Sequence, residues 1–453
     1  MKNIIKSTVN GIGWPALPGS VGAGRLAALF QLEQSQWWSR EKIKQQQFGQ
    51  LTLLLRHCIE HVPYYQHLLD KKKLSSIVNE AQWNEIPVLT RNEVQQAGND
   101  LVSKKVPADH GKVKLQRTSG STGKPVETLA TEIDTFFWNV FTLRDHLWHQ
   151  RDYSKKLAAI RFTHGEKAKL PSGETFANWG GATNGLYETG DCVMLCITKP
   201  IAEQITWLQK EQPHYLLTHP SVLKELALHC QREKIELPSL CEVRSISEAL
   251  PEGLRDLCRQ VWGVPLVDLY STIELGYLAL QCPEHEHYHV QSEGVFLEVL
   301  DENNQPCAAG EVGRVIVTNL HNFAFPMIRY EVGDYAEVGE PCDCGRGLPV
   351  IKRIMGRYRN VLITASGERR YPRLGIQDLY EIAPIRQVQV VQHTLEDITV
   401  KLVPERQLCE EEKKQLLGKY QTLLGVSFTI KLQLVESIER SASGKYEEFM
   451  SLL

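Results

Sequence analysis

The sequence predicts a large α/β region followed by a smaller α+β tail, and three observations carry that expectation. Residues 155–270 alternate short apolar runs with helical stretches, the pattern of parallel strands covered by helices. From Val295 onward the pattern becomes strand-rich. Beyond Gly356 a segment of about 95 residues reads strand–strand–helix–strand–strand–helix–strand, long enough to build a core of its own. Residues 1–356 are therefore expected to form a large N-terminal domain, in which parallel sheets with helices are joined to a strand-rich subdomain. Residues 357–453 are expected to form a small C-terminal α+β domain.

In chain order, residues 1–30 read as irregular, being rich in Gly and Pro. A helical pattern runs over 34–69 through Leu51, Leu54, Leu55, Cys58 and Ile59, and Pro63 is expected to end the helix. Residues 86–91 are extended, with Thr90 placed to cap the next helix. Residues 133–149 form an aromatic-rich helix whose Phe136, Phe137, Trp138 and Trp148 read as core. Strands follow at 157–162, 192–197, 215–218, 243–247 and 266–269, with helices at 201–210, 221–233 and 251–261 between them. Later strands are expected at 295–300, 311–318, 327–330 and 335–338, with a turn at 301–304.

The composition narrows the function classes. The chain has 453 residues, 42% hydrophobic and 23% charged, as in a soluble globular protein. A net charge of −3 gives no electrostatic case for nucleic acid or membrane partners. No apolar run approaches the roughly 20 residues of a membrane helix. Eleven cysteines without secretory features point to a reducing cytoplasm. Cysteines 58, 192, 196, 230, 241, 258, 307 and 409 read as buried small hydrophobes.

Chemistry concentrates first at Thr118-Ser119-Gly120-Ser121-Thr122-Gly123-Lys124-Pro125. Glycines let main-chain N–H groups approach an anion, and hydroxyls and a lysine add donors and charge, so the stretch reads as a phosphate-wrapping loop. It is not a Walker A loop, because Gly120 and Gly123 are three apart and Pro125 follows the lysine. Open α/β sheets bind ligands beyond the carboxyl ends of strands. Ser247-Glu248-Ala249-Leu250-Pro251 and Tyr270-Ser271-Thr272-Ile273-Glu274 each follow a predicted strand. Further on stand Met327-Ile328-Arg329-Tyr330-Glu331-Val332-Gly333-Asp334, then Gly356-Arg357, then Arg440-Ser441-Ala442-Ser443-Gly444-Lys445.

In this order the six stretches resemble the signature motifs of the adenylate-forming superfamily of acyl- and aryl-CoA synthetases. Val-Pro-Tyr-Tyr at 62–65 and Ile-Pro-Val-Leu-Thr at 86–90 resemble phrases of its phenylacetate-CoA ligase branch. The resemblance implies the adenylate-forming fold with a mobile C-terminal domain. It also implies activation of a carboxylic acid by ATP and Mg²⁺ to acyl-AMP with release of pyrophosphate, then transfer to a thiol. Coenzyme A is the expected acceptor. A carrier protein, or an amine or hydroxyl in building a metabolite or polysaccharide, is the alternative, and a non-catalytic nucleotide-binding protein is a third.

The resemblance also assigns residues. Thr118, Ser119, Gly120, Ser121, Thr122, Gly123 and Lys124 would hold the β/γ-phosphates, and Ser247, Glu248, Ala249 and Asp268 would line the adenine pocket. Tyr270 would pack on adenine beside Ser271, Thr272 would bond a phosphate and Glu274 would hold the metal. Asp334 would accept the ribose hydroxyls, Arg357 would sit near the ribose, and Lys445 would be the catalytic lysine. Ser271 stands where the family usually has glycine, and Asn360 replaces the hinge aspartate. The acid pocket would draw on Phe141, on residues 176–185 and on residues near Ser247 and Leu275. Trp179, Gly180, Gly181 and Ala182 offer a flat wall suited to an aryl acid. Relatives are often dimers, which leaves a homodimer open.

A second signal is independent of these. Cys282, His285, His287 and His289 precede Cys342-Asp343-Cys344-Gly345, and thiolates with imidazole at short spacing suit tetrahedral zinc. Cys282, His289, Cys342 and Cys344 are the expected structural ligands, with His285 and His287 as rivals.

Overall fold

Parallel pairing, as the alternation predicts, organises the middle of the chain. The computed structural model describes residues 4–70, 79–117, 126–163, 165–357, 362–365, 369–370, 379, 382–425, 428–440 and 446–453. Two short antiparallel strands, β1 (Lys114–Arg117) and β2 (Glu127–Ala130), flank the glycine-rich stretch, with Arg117 opposite Glu127. Next come β3 (Leu157–Arg161), β4 (Glu174–Phe176), β5 (Cys192–Cys196), β6 (Tyr215–Thr218), β7 (Glu242–Ser245) and β8 (Leu266–Thr272). Neighbours in the run β5-β3-β6-β7-β8 are all parallel. Their burial on both faces explains why they read as continuous apolar runs.

The strand-rich region continues the same sheet. Strands β9 (Gly276–Gln281), β10 (Tyr288–Val290), β11 (Val295–Leu300), β12 (Val312–Asn319), β13 (Tyr330–Val338) and β14 (Val350–Arg357) extend it antiparallel from β8. The result is a 12-stranded sheet in the order β11-β12-β13-β14-β10-β9-β8-β7-β6-β3-β5-β4. The two strands expected at 327–330 and 335–338 are one. Gly333 at φ 86° and register shifts after Tyr335 and Glu337 bend β13 without breaking it.

Two helical expectations change. Residues Ser20–Ser35 form a helix, although their apolar residues spread around the axis and leave no stripe to read. Pro63 does end the helix Arg40–His61, but it also opens another, Pro63–Asp70, because proline suits a first turn. Thr90 caps Arg91–Ala97 as expected, its hydroxyl accepting from Glu93 N at 3.3 Å.

The tail holds β15 (Leu362–Ile363), β16 (Arg369–Arg370), β17 (Ile385–Gln392), β18 (Asp397–Pro404), the helix Glu410–Leu424, β19 (Thr429–Leu434) and a closing β20 (Phe449–Ser451) that the sequence pattern misses. Strands β19-β18-β17-β20 form a four-stranded sheet over its own apolar cluster of Val388, Val400, Leu402, Leu416 and Tyr420. Cys58, Cys192, Cys196, Cys230 and Cys258 are buried, whereas Cys241 and Cys409 are exposed and Cys307 is half-buried. The exposed pair sits just before β7 and at the start of Glu410–Leu424, where side chains leave the core. Among the described residues, no helix is long and apolar enough to cross a membrane.

Candidate active site

A cavity of about 2100 Å³ opens at the carboxyl ends of the parallel strands and reaches the tail. Trp179, Gly180, Gly181, Ala182, Ser247, Glu248, Ala249, Asp268, Tyr270, Ser271, Thr272, Glu274 and Asp334 all line it. Residues Thr118 to Lys124 and Lys445 lie outside the described residues, as do Asn360 and the side chain of Arg357. The backbone of Arg357 pairs with Asp334 across β13 and β14. Phe141 does not reach this cavity. Buried at 3% exposure, it packs toward Phe137 and Tyr277 and lines a smaller void of about 120 Å³.

Local geometry sets what each group can offer. Ser247 has φ 74°, a left-handed conformation costly for a non-glycine residue and concentrated at functional turns. Tyr270 Oη donates to Asp334 Oδ2 at 2.7 Å, so one carboxylate oxygen is held in place at the cavity wall. The Thr272 hydroxyl accepts from Leu275 N at 3.0 Å, which leaves its own proton free to donate. Asp268 lines the cavity with both carboxylate oxygens already engaged. Its oxygens take the hydroxyls of Ser245 at 2.5 Å and Tyr288 at 2.6 Å, and burial pushes its pKa up.

Glu248 is likewise engaged. Its Oε2 accepts from Ser221 N at 3.0 Å, at the start of the helix Pro220–Glu233, and its Oε1 accepts from Tyr446 N at 2.7 Å. Burial raises its pKa, but His219 and these N–H donors outweigh that and hold it below the usual range. Around it Arg440 donates to Ser221 Oγ at 2.7 Å and Glu225 Oε1 at 2.8 Å, and Lys224 donates to Glu448 at 2.7 Å. The tail is therefore fastened to the sheet's carboxyl edge through Arg440, Tyr446 and Glu448.

At the opposite end, the helix Glu132–Trp148 turns a polar face to the cavity that the aromatic pattern hides. Asn139, Thr142 and His146 recur at helical spacing and line it, together with Arg244 from β7. Thr142 and Tyr277 share a hydrogen bond at 3.0 Å. Beneath lies a buried charge cluster. Asp145 accepts from Arg151 at 2.6 Å and Arg244 at 2.5 Å, and Arg151 also reaches Glu242 at 2.6 Å. Burial would raise the Asp145 pKa, but the two guanidinium groups hold it low. The sequence signal was Asn139, Thr142 and His146, polar residues three and four apart beside the aromatic run of the helix.

The metal-ligating expectation meets a compact cluster. Cys282, His289, Cys342 and Cys344 bring four ligand atoms within 4.8 Å of one another. Cys282 Sγ lies 3.9 Å from Cys342 Sγ, and Cys344 Sγ lies 3.4 Å from His289 Nε2. Four ligands at tetrahedral zinc distances would stand about 3.5–3.8 Å apart, so the donors fit. Burial lowers the His289 pKa to about 3, which keeps the imidazole neutral as a ligand must be. His285 instead pairs with Asp343 at 2.6 Å and stacks on His287.

Comparison with known proteins agrees with this frame. The CapK C-terminal domain family matches residues 374–451. Phenylacetate-coenzyme A ligase of Pseudomonas putida is 24% identical over 427 residues, covering 89% of this chain and 93% of that protein. Protein CapK of Staphylococcus aureus is 22% identical over 404 residues, covering 84% and 83%. Among solved structures, 2-hydroxyisobutyryl-CoA ligase in its postadenylation state superposes with a TM-score of 0.70 at 18% identity, covering 89% of this chain and 88% of that one. Motif order, sheet architecture and relatives together give the chain the fold of the adenylate-forming CoA ligases and a likeness over most of its length to phenylacetate-CoA ligases.

Proposed function

We propose that this protein is an AMP-forming acid–thiol ligase: it joins a carboxylic acid to the α-phosphate of ATP, releases pyrophosphate, and passes the acyl group to coenzyme A. The observation that carries the reading is a continuous cavity whose wall combines Tyr270, Thr272, Glu274 and Asp334 with Trp179–Ala182 and with Tyr446 of the tail. A carboxylate is a poor electrophile until made an anhydride, and charge then gathers on phosphate oxygens, where preorganised donors contribute most. Thr118, Ser119, Ser121, Thr122 and Lys124 hold the β/γ-phosphates in this reading, and Asp334 holds the ribose. Thr272 donates to a phosphate. Glu274 would supply one carboxylate to Mg²⁺, which would neutralise charge on the phosphates. Lys445 bridges the acid and the α-phosphate, and the tail then rotates to admit the thiol.

Cys282, His289, Cys342 and Cys344 hold a structural zinc that ties the segment after β9 to the one before β14. The protein works in the cytoplasm. A second reading passes the acyl group to a carrier protein, or to an amine or hydroxyl, in place of coenzyme A. Purified protein incubated with ATP, Mg²⁺ and a pool of acids should form AMP, and CoA should raise the rate and yield a thioester. AMP formation that CoA leaves unchanged would favour the second reading, and no AMP from any pool would contradict both.

A further inference from the structure

The acid end of the cavity is more polar than an aryl pocket requires. Asn139 is 8% exposed, lines the cavity, and its amide has no hydrogen-bond partner among the described residues. His146, 3% exposed, lines the same wall, with its ring near Trp179 at 5.5 Å between centroids. Its Nδ1 accepts from Arg151 at 3.2 Å, so the neutral ring carries its proton on Nε2. Burial pushes its pKa well below the usual value, so that proton is the only one. Arg244 offers five N–H donors, of which the bond to Asp145 uses one, while its buried Nε lies 4.0 Å from Glu242 Oε1. Asn139 stands over the Gly181 turn, where a Cβ on Gly181 would come within 3.1 Å of its Oδ1. These groups therefore share one end of the cavity with Trp179–Ala182.

Two features select the partner. Donors outnumber acceptors, which favours an accepting oxygen over an ammonium. Charges in the cluster balance, with Arg151 and Arg244 facing Asp145 and Glu242, so among the described residues the cluster itself offers no surplus cation to a second carboxylate. A bare hydrocarbon would leave buried donors unpaired, the arrangement by which sites built for hydrogen bonds reject apolar analogues.

Resting on the ligase reading above, we infer that the acid activated here carries an uncharged hydrogen-bonding substituent, a hydroxyl or carbonyl, held by Asn139, His146 and Arg244. The test is acid-dependent ATP–pyrophosphate exchange with matched acids: phenylacetate against its ring-hydroxylated forms, butyrate against 2- and 3-hydroxybutyrate and acetoacetate, with succinate and β-alanine as charged controls. The substituted member of at least one pair should exceed its parent about tenfold or more in kcat/KM. Asn139→Leu should cut that advantage at least fivefold while leaving the KM for ATP unchanged. Parents that match their substituted partners, a lead by succinate or β-alanine, or a preference untouched in Asn139→Leu would overturn the inference and leave the ligase reading standing. Exchange with no acid at all would overturn both.

Discussion

Tyr270 and Asp334 come from strands far apart in sequence, yet the phenol fixes the carboxylate at 2.7 Å. A hydrogen bond to a charged acceptor contributes about 1.5–3 kcal/mol. If Asp334 holds the ribose, Tyr270→Phe should raise the KM for ATP by about tenfold with a smaller change in kcat, since about 1.4 kcal/mol corresponds to a factor of ten. An unchanged KM would show that the bond is structural only. His321 illustrates a different residue-scale effect. It is stacked on Phe137 at 3.8 Å, and burial lowers its pKa to about 4 against an ordinary 6.5. The unfolded chain then binds more protons between those values, so stability is lost as pH falls from about 6.5 toward 4. Linkage puts the loss at about 2 kcal/mol between pH 7 and pH 5. His321→Phe keeps an aromatic ring there and should lose correspondingly less in urea unfolding at the two pH values. Equal losses in both proteins would contradict the assignment.

At the scale of elements, the helix Pro220–Glu233 and the tail meet through a small set of charged contacts. Glu248 ties the helix start to Tyr446 N, one residue beyond Lys445, and Arg440 adds a second tie to the same helix. Glu248→Gln keeps the shape but removes the charge facing His219 and Arg440. We expect about tenfold slower adenylation, from loss of charge-assisted bonds of about 1.5–3 kcal/mol, with thioester formation from supplied acyl-AMP spared. Equal slowing of both steps would contradict a role confined to the adenylating arrangement. Much of this level was legible beforehand: β3, β5, β6, β7 and β8 announced themselves as apolar runs between helices. The helix Ser20–Ser35 did not, because its apolar residues form no stripe. The fusion of strand-rich and parallel regions was hidden too, since pairing of β8 with β9 is a long-range choice that local pattern does not encode. At the site, motif order located Tyr270, Thr272 and Asp334 on one cavity, but the engaged carboxylates of Asp268 and Glu248 and the polar face at Asn139 and His146 emerged only from packing.

Two features belong to the whole molecule. The first is the metal: Cys282 and His289 belong to one stretch and Cys342 and Cys344 to another, so a bound zinc would staple them as a cross-link does. Purified protein should contain about one zinc per chain, by the four-ligand rule for structural sites. Cys344→Ser should lower both zinc content and the melting temperature, and a variant unchanged in both would remove the site.

The second and central claim is that the chain adenylates an acid with Lys445 delivered by the tail. The most direct measurement is acid-dependent ATP–pyrophosphate exchange in the wild type and in Lys445→Ala, alongside thioester formation from supplied acyl-AMP. The account predicts exchange with a defined acid, its loss in Lys445→Ala, and thioester formation that survives the substitution. Exchange that persists without the lysine, or loss of both half-reactions together, would contradict it.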